Sequence, residues 1–107
     1  MKKLYIIALL IAFASCTASK LTMPSQADAD AAQMTFPGAS LADMTKGHGL
    51  YEMHCGMCHK LHAPKDFAVE AWHNIVPNMV NEVNSNQVKL SEDDERLILM
   101  YVTSVRN

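Results

Sequence analysis

The chain has 107 residues, 50% of them hydrophobic and 19% charged, with nine Lys and Arg against eleven Asp and Glu. This slightly acidic balance, without any cluster of basic residues, argues against a nucleic-acid partner. The length allows one small domain and some flanking chain.

The N-terminus reads as an export signal, residues 1–15. Lys2 and Lys3 form a positive start, and Leu4 to Ala14 is an apolar run of eleven residues ending in small ones. That run is too short to span a bilayer, so a signal peptide is expected rather than a transmembrane helix. Phe13-Ala14-Ser15-Cys16 resembles the lipobox of bacterial lipoproteins, with Phe13 departing from the usual leucine. Lipidation of Cys16 would supply the paired acyl chains that stable anchoring needs. Cleavage further on, near Ala18, is the alternative and would discard Cys16. Removing residues 1–15 takes away Lys2 and Lys3, leaving seven basic against eleven acidic residues, a formal charge of −4. The expected location is the bacterial periplasm, on a membrane. Thr17 stands where an aspartate would, by analogy with some bacteria, signal retention at the inner membrane, so the sequence leaves the choice of membrane open.

Residues 16–40 are rich in Ala, Ser, Thr, Asp and Gln, with Pro24 and Pro37 as breakers and no sustained apolar period. They read as a flexible, lipid-anchored tether. The other possibility is that Met34 and Phe36 fold back onto the domain. Residues 41–107 remain as that domain, too few to build a sufficient core without added apolar mass.

A first helix is expected from near Leu41. Gly47, Tyr51 and Cys55 recur at intervals of four and share a face. A mid-helix glycine costs about 1 kcal/mol against alanine, so Gly47 implies close approach by another element. The helix leads into Cys55-Gly56-Met57-Cys58-His59, a C-x-x-C-H run of the kind that attaches haem c. Thiols about one helical turn apart can reach the two vinyl groups of one porphyrin. The imidazole that follows is placed to ligate iron as the proximal ligand. A dithiol redox site or half of a zinc site would use the same cysteines. The first belongs in a βαβ context and the second needs another ligand pair, and no second C-x-x-C occurs. One covalent haem c on Cys55 and Cys58, with His59 below the iron, is the expectation.

Trp72, Ile75, Val76, Met79, Val80 and Val83 then form an amphipathic stripe. Met79 points the same way as Trp72, and twenty residues separate it from Cys58, enough to pass round a ring edge. Pro77 should kink this helix or end it near Val76. Met79 is the expected sixth iron ligand, with core filling as its ordinary alternative. Met1 lies in the signal, Met23 and Met34 in the tether, and Met53 and Met57 on the proximal side. Met44 lies at a helix start, and Met100 falls off the apolar face of the last helix and is expected to be exposed. His48 and His54 are expected at the surface, His62 near the proximal loop, and His73 turned away from the stripe. Bis-His ligation and an open distal face remain alternatives to His59/Met79.

In the last helix, Ser91 and Asp94 make a capping-box start, and Glu92, Asp93, Asp94 and Glu95 load its first turn favourably. Leu97, Ile98, Tyr101, Val102 and Val105 repeat at helical spacing, and Arg106 suits the C-terminal turn. No alternating apolar run of convincing length occurs, so the fold class is all-α.

The stretch Lys46-Gly47-x-x-x-Tyr51-x-x-x-Cys55-x-x-Cys58-His59, followed by a capped helix with Ile98 and Tyr101, resembles a class I mono-haem cytochrome c. The resemblance covers residues 41–107. It is greatest to compact bacterial domains in which a tryptophan stands seven positions before the axial methionine, as Trp72 does before Met79. It implies a small three-helix-plus-loops fold wrapped around the haem, with terminal helices crossing near Gly47 and Tyr101. Trp72 would be a haem wall, and electrons would pass at the edge carrying Cys55 and Cys58, with Lys60, His62 and Lys65 nearby. The implied role is single-electron transfer between respiratory redox proteins by a membrane-tethered carrier, not an enzyme. The alternatives are a haem sensor or ligand-binding protein with an open distal face, and the subunit through which electrons pass into a larger oxidoreductase.

Overall fold

The computed structural model describes residues 21–56 and 60–106. Its regular elements are all helical: α1 (Gln26–Ala32), α2 (Leu41–Cys55), a 3₁₀ helix (Pro64–Asp66), α3 (Val69–Asn84) and α4 (Glu92–Ser104), with no strand among the described residues. The all-α class is therefore observed. Three helices start with one device, a serine followed by an aspartate at the third helical position: Ser25 and Asp28, Ser40 and Asp43, Ser91 and Asp94. Each serine hydroxyl accepts the aspartate's N–H while the aspartate carboxylate accepts the serine's, so two orphan donors are satisfied at each helix start. At α4 both bonds are 3.0 Å.

α4 is the axis of the domain. α1, α2 and α3 all pack against it, whereas α2 and α3 scarcely meet. At the α2–α4 crossing a Cβ on Gly47 would lie 2.1 Å from the Leu97 carbonyl oxygen and 3.2 Å from Tyr101 Cβ. No side chain fits there, which accounts for a glycine in a helix interior. Being enclosed on several sides also explains Met100. Expected at the surface, it is fully buried, as are Ile98, Tyr101 and Val102 on the turns beside it. The expectation assumed one apolar face, but a central helix buries more than one. His48 likewise departs from its expected surface position: it is buried, edge-on to the Tyr101 ring at 5.2 Å, with Nε2 3.7 Å from Glu52.

The described part of the supposed tether, residues 21–40, belongs to the domain. Ala29 and Ala32 of α1 are buried, as are Leu21, Phe36 and Ala39. Tyr101 Oη donates to the Thr22 carbonyl at 2.7 Å, and the Arg96 guanidinium lies over the Phe36 ring. Alanine is a good helix former and small enough for close approach, so a composition read as linker instead makes a thin docked helix. Gly38, with φ of +82°, permits the turn into α2. Of the two side chains weighed for docking, Phe36 is buried and Met34 is 91% exposed.

α3 contains Pro77 and is not ended by it. Val76 and Val80 on either side are buried, so tertiary contact carries the helix through. His73 and Pro77 are exposed, which puts the carbonyl lacking its helical donor on the solvent side, where water can bond it.

Candidate functional site

Where α2 and α3 stand apart, a cavity of about 280 Å³ opens. α2 contributes Tyr51 and Cys55, the loop 60–68 contributes Leu61, His62 and Phe67, and α3 contributes Trp72, Ile75 and Met79. Three residues chosen from sequence, Cys55, Trp72 and Met79, thus meet on one apolar wall. Cys58 and His59 lie outside the described residues, as do Cys16 and the signal segment. α2 ends at Cys55, the first residue of the C-x-x-C-H run, and that residue lies on the cavity wall.

The polar atoms of the large rings here are already bonded. Tyr51 Oη donates to the His62 carbonyl at 2.5 Å, and Trp72 Nε1 donates to the Pro64 carbonyl at 2.9 Å. Their ring orientations are fixed by those bonds and by edge contacts: Tyr51 to Trp72 at 5.9 Å and 88°, Phe67 to Trp72 at 5.2 Å and 88°. Trp72 is completely buried. Burial pushes the Tyr51 hydroxyl pKa well above its ordinary value, with Cys55 adding to the effect. Burial alone pushes the Cys55 thiol up to about 12. Such a thiol is protonated at neutral pH, whereas a redox-active dithiol needs a stabilised thiolate.

The rivals of Met79 separate clearly. Met44 and Met100 are buried in the core, while Met23, Met34 and Met53 are exposed. Among the described methionines Met79 is the one on this wall. His48 sits at Tyr101, and His73 lines a different cavity of about 270 Å³ with Arg106 and Thr35. His62 does line the site, its ring 4.9 Å from Phe67, so the loop histidine comes nearer to the wall than its sequence position indicated. His54, in the last turn of α2, has a buried Nδ1 without a hydrogen-bond partner.

Leu61, Phe67 and Ile75 were not singled out from sequence. Ile75 was at least in the stripe with Trp72 and Met79, but nothing in the spacing of the loop marks Leu61 or Phe67. The site as built has aromatic and aliphatic walls, hydroxyl and indole hydrogens turned to backbone, a thiol on one helix and a thioether on another. Among the described residues, no group of three or more His, Cys, Asp or Glu is placed to hold a metal ion, and no helix is long and apolar enough to cross a membrane. Compared with protein-family models, curated proteins and solved structures, the chain matches none.

Proposed function

We propose that this chain is a mono-haem cytochrome c that carries single electrons outside the cytoplasm. The observation that carries the reading is the meeting of Trp72 and Met79 with Cys55, the first residue of the C-x-x-C-H run, on one apolar cavity. Cys55 and Cys58 would hold haem c through thioether bonds, with His59 and Met79 as the residues that would bind its iron. The group would supply a ferric–ferrous couple, and two protein ligands leave no coordination position for a substrate. The chain's own residues then do three things. Trp72 and Phe67 exclude water from the ring, Tyr51 fixes the loop that follows the motif, and the Gly47 crossing keeps α2 seated on α4. That crossing, with Tyr101 beside it, is also the arrangement the cytochrome resemblance implies.

Lipidation at Cys16 belongs to the same reading, and the docked segment changes its consequence. Four residues lie between Cys16 and Leu21, and the five extended steps from one to the other reach at most about 18 Å. The carrier would ride close to its bilayer and exchange electrons with redox proteins of the same membrane, whose effective concentration the anchor raises.

The deciding experiment is an absorption spectrum of the protein matured in a bacterial host that attaches haem c, before and after dithionite and then with carbon monoxide. Haem bands that survive denaturation, a weak ferric methionine band and resistance to carbon monoxide are expected. A colourless product with both motif thiols alkylatable would overturn the proposal. Ready binding of carbon monoxide would instead show an open distal face and favour a sensor.

A further inference from the structure

The loop 60–68 is the part of the cavity wall that lies between the long helices, and side chains from two of those helices and from just beyond a third hold its backbone. Tyr51 of α2 donates to the His62 carbonyl and Trp72 of α3 to the Pro64 carbonyl. Arg106, just beyond α4, does more. Its Nη1 donates to the Pro64 carbonyl at 2.8 Å and to the Val102 carbonyl at 3.1 Å, and its Nη2 donates to the Phe67 carbonyl at 2.6 Å. One guanidinium thereby joins the free end of α4 to two carbonyls of the loop. The Pro64 oxygen takes both Arg106 and Trp72, so the same acceptor fixes the loop and the buried indole of the cavity wall.

We propose that Arg106 is a positioning residue that clamps the loop 60–68 shut over the site and keeps a fixed positive charge behind its wall. Two features of arginine suit it to this task. The planar fork can serve carbonyls in different directions at once, where a lysine ammonium serves as a point charge, and it stays charged at every relevant pH. Charged donors also make the stronger hydrogen bonds, which matters for a short segment that few apolar residues anchor. The clamp is anchored in turn: Val105 is completely buried and its N–H bonds the Tyr101 carbonyl, so the residue before Arg106 cannot drift. For the charge, the proposal rests on the haem reading. A cation near the ring disfavours the more positive, oxidised state and so raises the reduction potential.

The test compares Arg106→Gln and Arg106→Lys with the parent in the full mature chain, by amide hydrogen exchange and by potentiometric titration. Arg106→Gln should speed exchange of the loop amides 61–67 tenfold or more, leave the α2–α4 crossing unchanged, and lower the potential. Arg106→Lys should keep the potential near that of the parent while the loop still loosens, because the charge remains and the fork is lost. The proposal is overturned if Arg106→Gln matches the parent in both measurements. It is equally overturned if the crossing loosens as much as the loop, since Arg106 would then support the whole domain. If all three proteins are colourless the haem reading fails, while exchange in the loop still decides whether the clamp exists.

Discussion

The two interfaces of α2 are built on opposite principles. Against α4 the helix closes to backbone contact, with Gly47 beneath the Leu97 carbonyl and no space for even a methyl group. Against α3 it is held away by the rings of Tyr51 and Trp72, whose polar atoms are turned to loop carbonyls. The first interface gives the domain its rigidity and the second gives it a site. On the proposed haem reading, the group bound at Cys55 would complete the core on the open side, which suits a domain of this size.

This contrast is broken most severely at Gly47. Gly47→Val should abolish folding or cost more than about 3 kcal/mol, because the obstructing atom is helix backbone that cannot turn aside. Thermal denaturation followed by circular dichroism checks it, and a variant within 1 kcal/mol of the parent would show that the crossing is not closed as described. On the open side, Trp72→Ala should cost about 3–5 kcal/mol through lost burial. Trp72→Phe keeps most of the ring and should cost less, since Arg106 still serves the Pro64 carbonyl that the indole leaves. Met79 is only partly buried, so Met79→Ala should change stability least of the three. On the proposed haem reading its effect should be spectroscopic: loss of the ferric methionine band and new binding of carbon monoxide.

How much of this was legible in the sequence follows from where each interaction is encoded. The caps are local and use a serine and an aspartate three apart, so the start of α4 could be read directly from Ser91 and Asp94. Gly47 was legible because a glycine in a helix needs a reason. The stripe from Trp72 to Val83 showed its period despite Pro77. Residues 21–40 read as linker by composition because Ala29 and Ala32 have almost no side chain to bury, and a helix that docks by smallness leaves no apolar period. The burial of Met100 depends on how many neighbours surround α4, which no single helix pattern records. The carbonyls that fix the loop are invisible for a simpler reason: every residue has one. Arg106 suits the last turn of α4 by sequence, but the helix ends at Ser104 and the side chain reaches back to the Val102 carbonyl from beyond the cap; its two contacts across the chain have no sequence signal.

Alkali should separate the two interfaces by their phenols and thiol. Burial raises Tyr101 to about 12, Cys55 to about 12, and Tyr51 further still. Each group is neutral when protonated and its folded pKa lies above its unfolded one. The stability it contributes is therefore complete below the unfolded value and is lost as pH rises through the folded value. Denaturation midpoints in urea should hold steady to about pH 9 and fall from there towards pH 12. With Cys55 tied up as a thioether its share disappears, so the haem-bearing form should begin to fall later, near pH 10, where only the tyrosines remain. Identical alkaline profiles for the coloured and colourless forms would contradict the placement of Cys55 on the cavity wall.

The smallest expected effect concerns the start of α4, the helix both interfaces depend on. Ser91→Ala removes the hydroxyl that accepts the Asp94 N–H and should cost about 1 kcal/mol. The other half of the box survives, because the bond to the Asp94 carboxylate comes from the backbone N–H of position 91. That backbone bond is the main cause holding the Asp94 carboxyl below its ordinary range, with the Ser91 side chain and Lys46 also lowering it. A depressed carboxyl contributes stability above its unfolded pKa and loses it as pH falls through the folded one. Ser91→Ala should therefore lower stability at neutral pH yet keep most of the acid-side decline, whereas Asp94→Asn should flatten that decline. If the two substitutions flattened it equally, the hydroxyl rather than the backbone would be what holds the carboxylate, and the two halves of the box would have to be weighed the other way round.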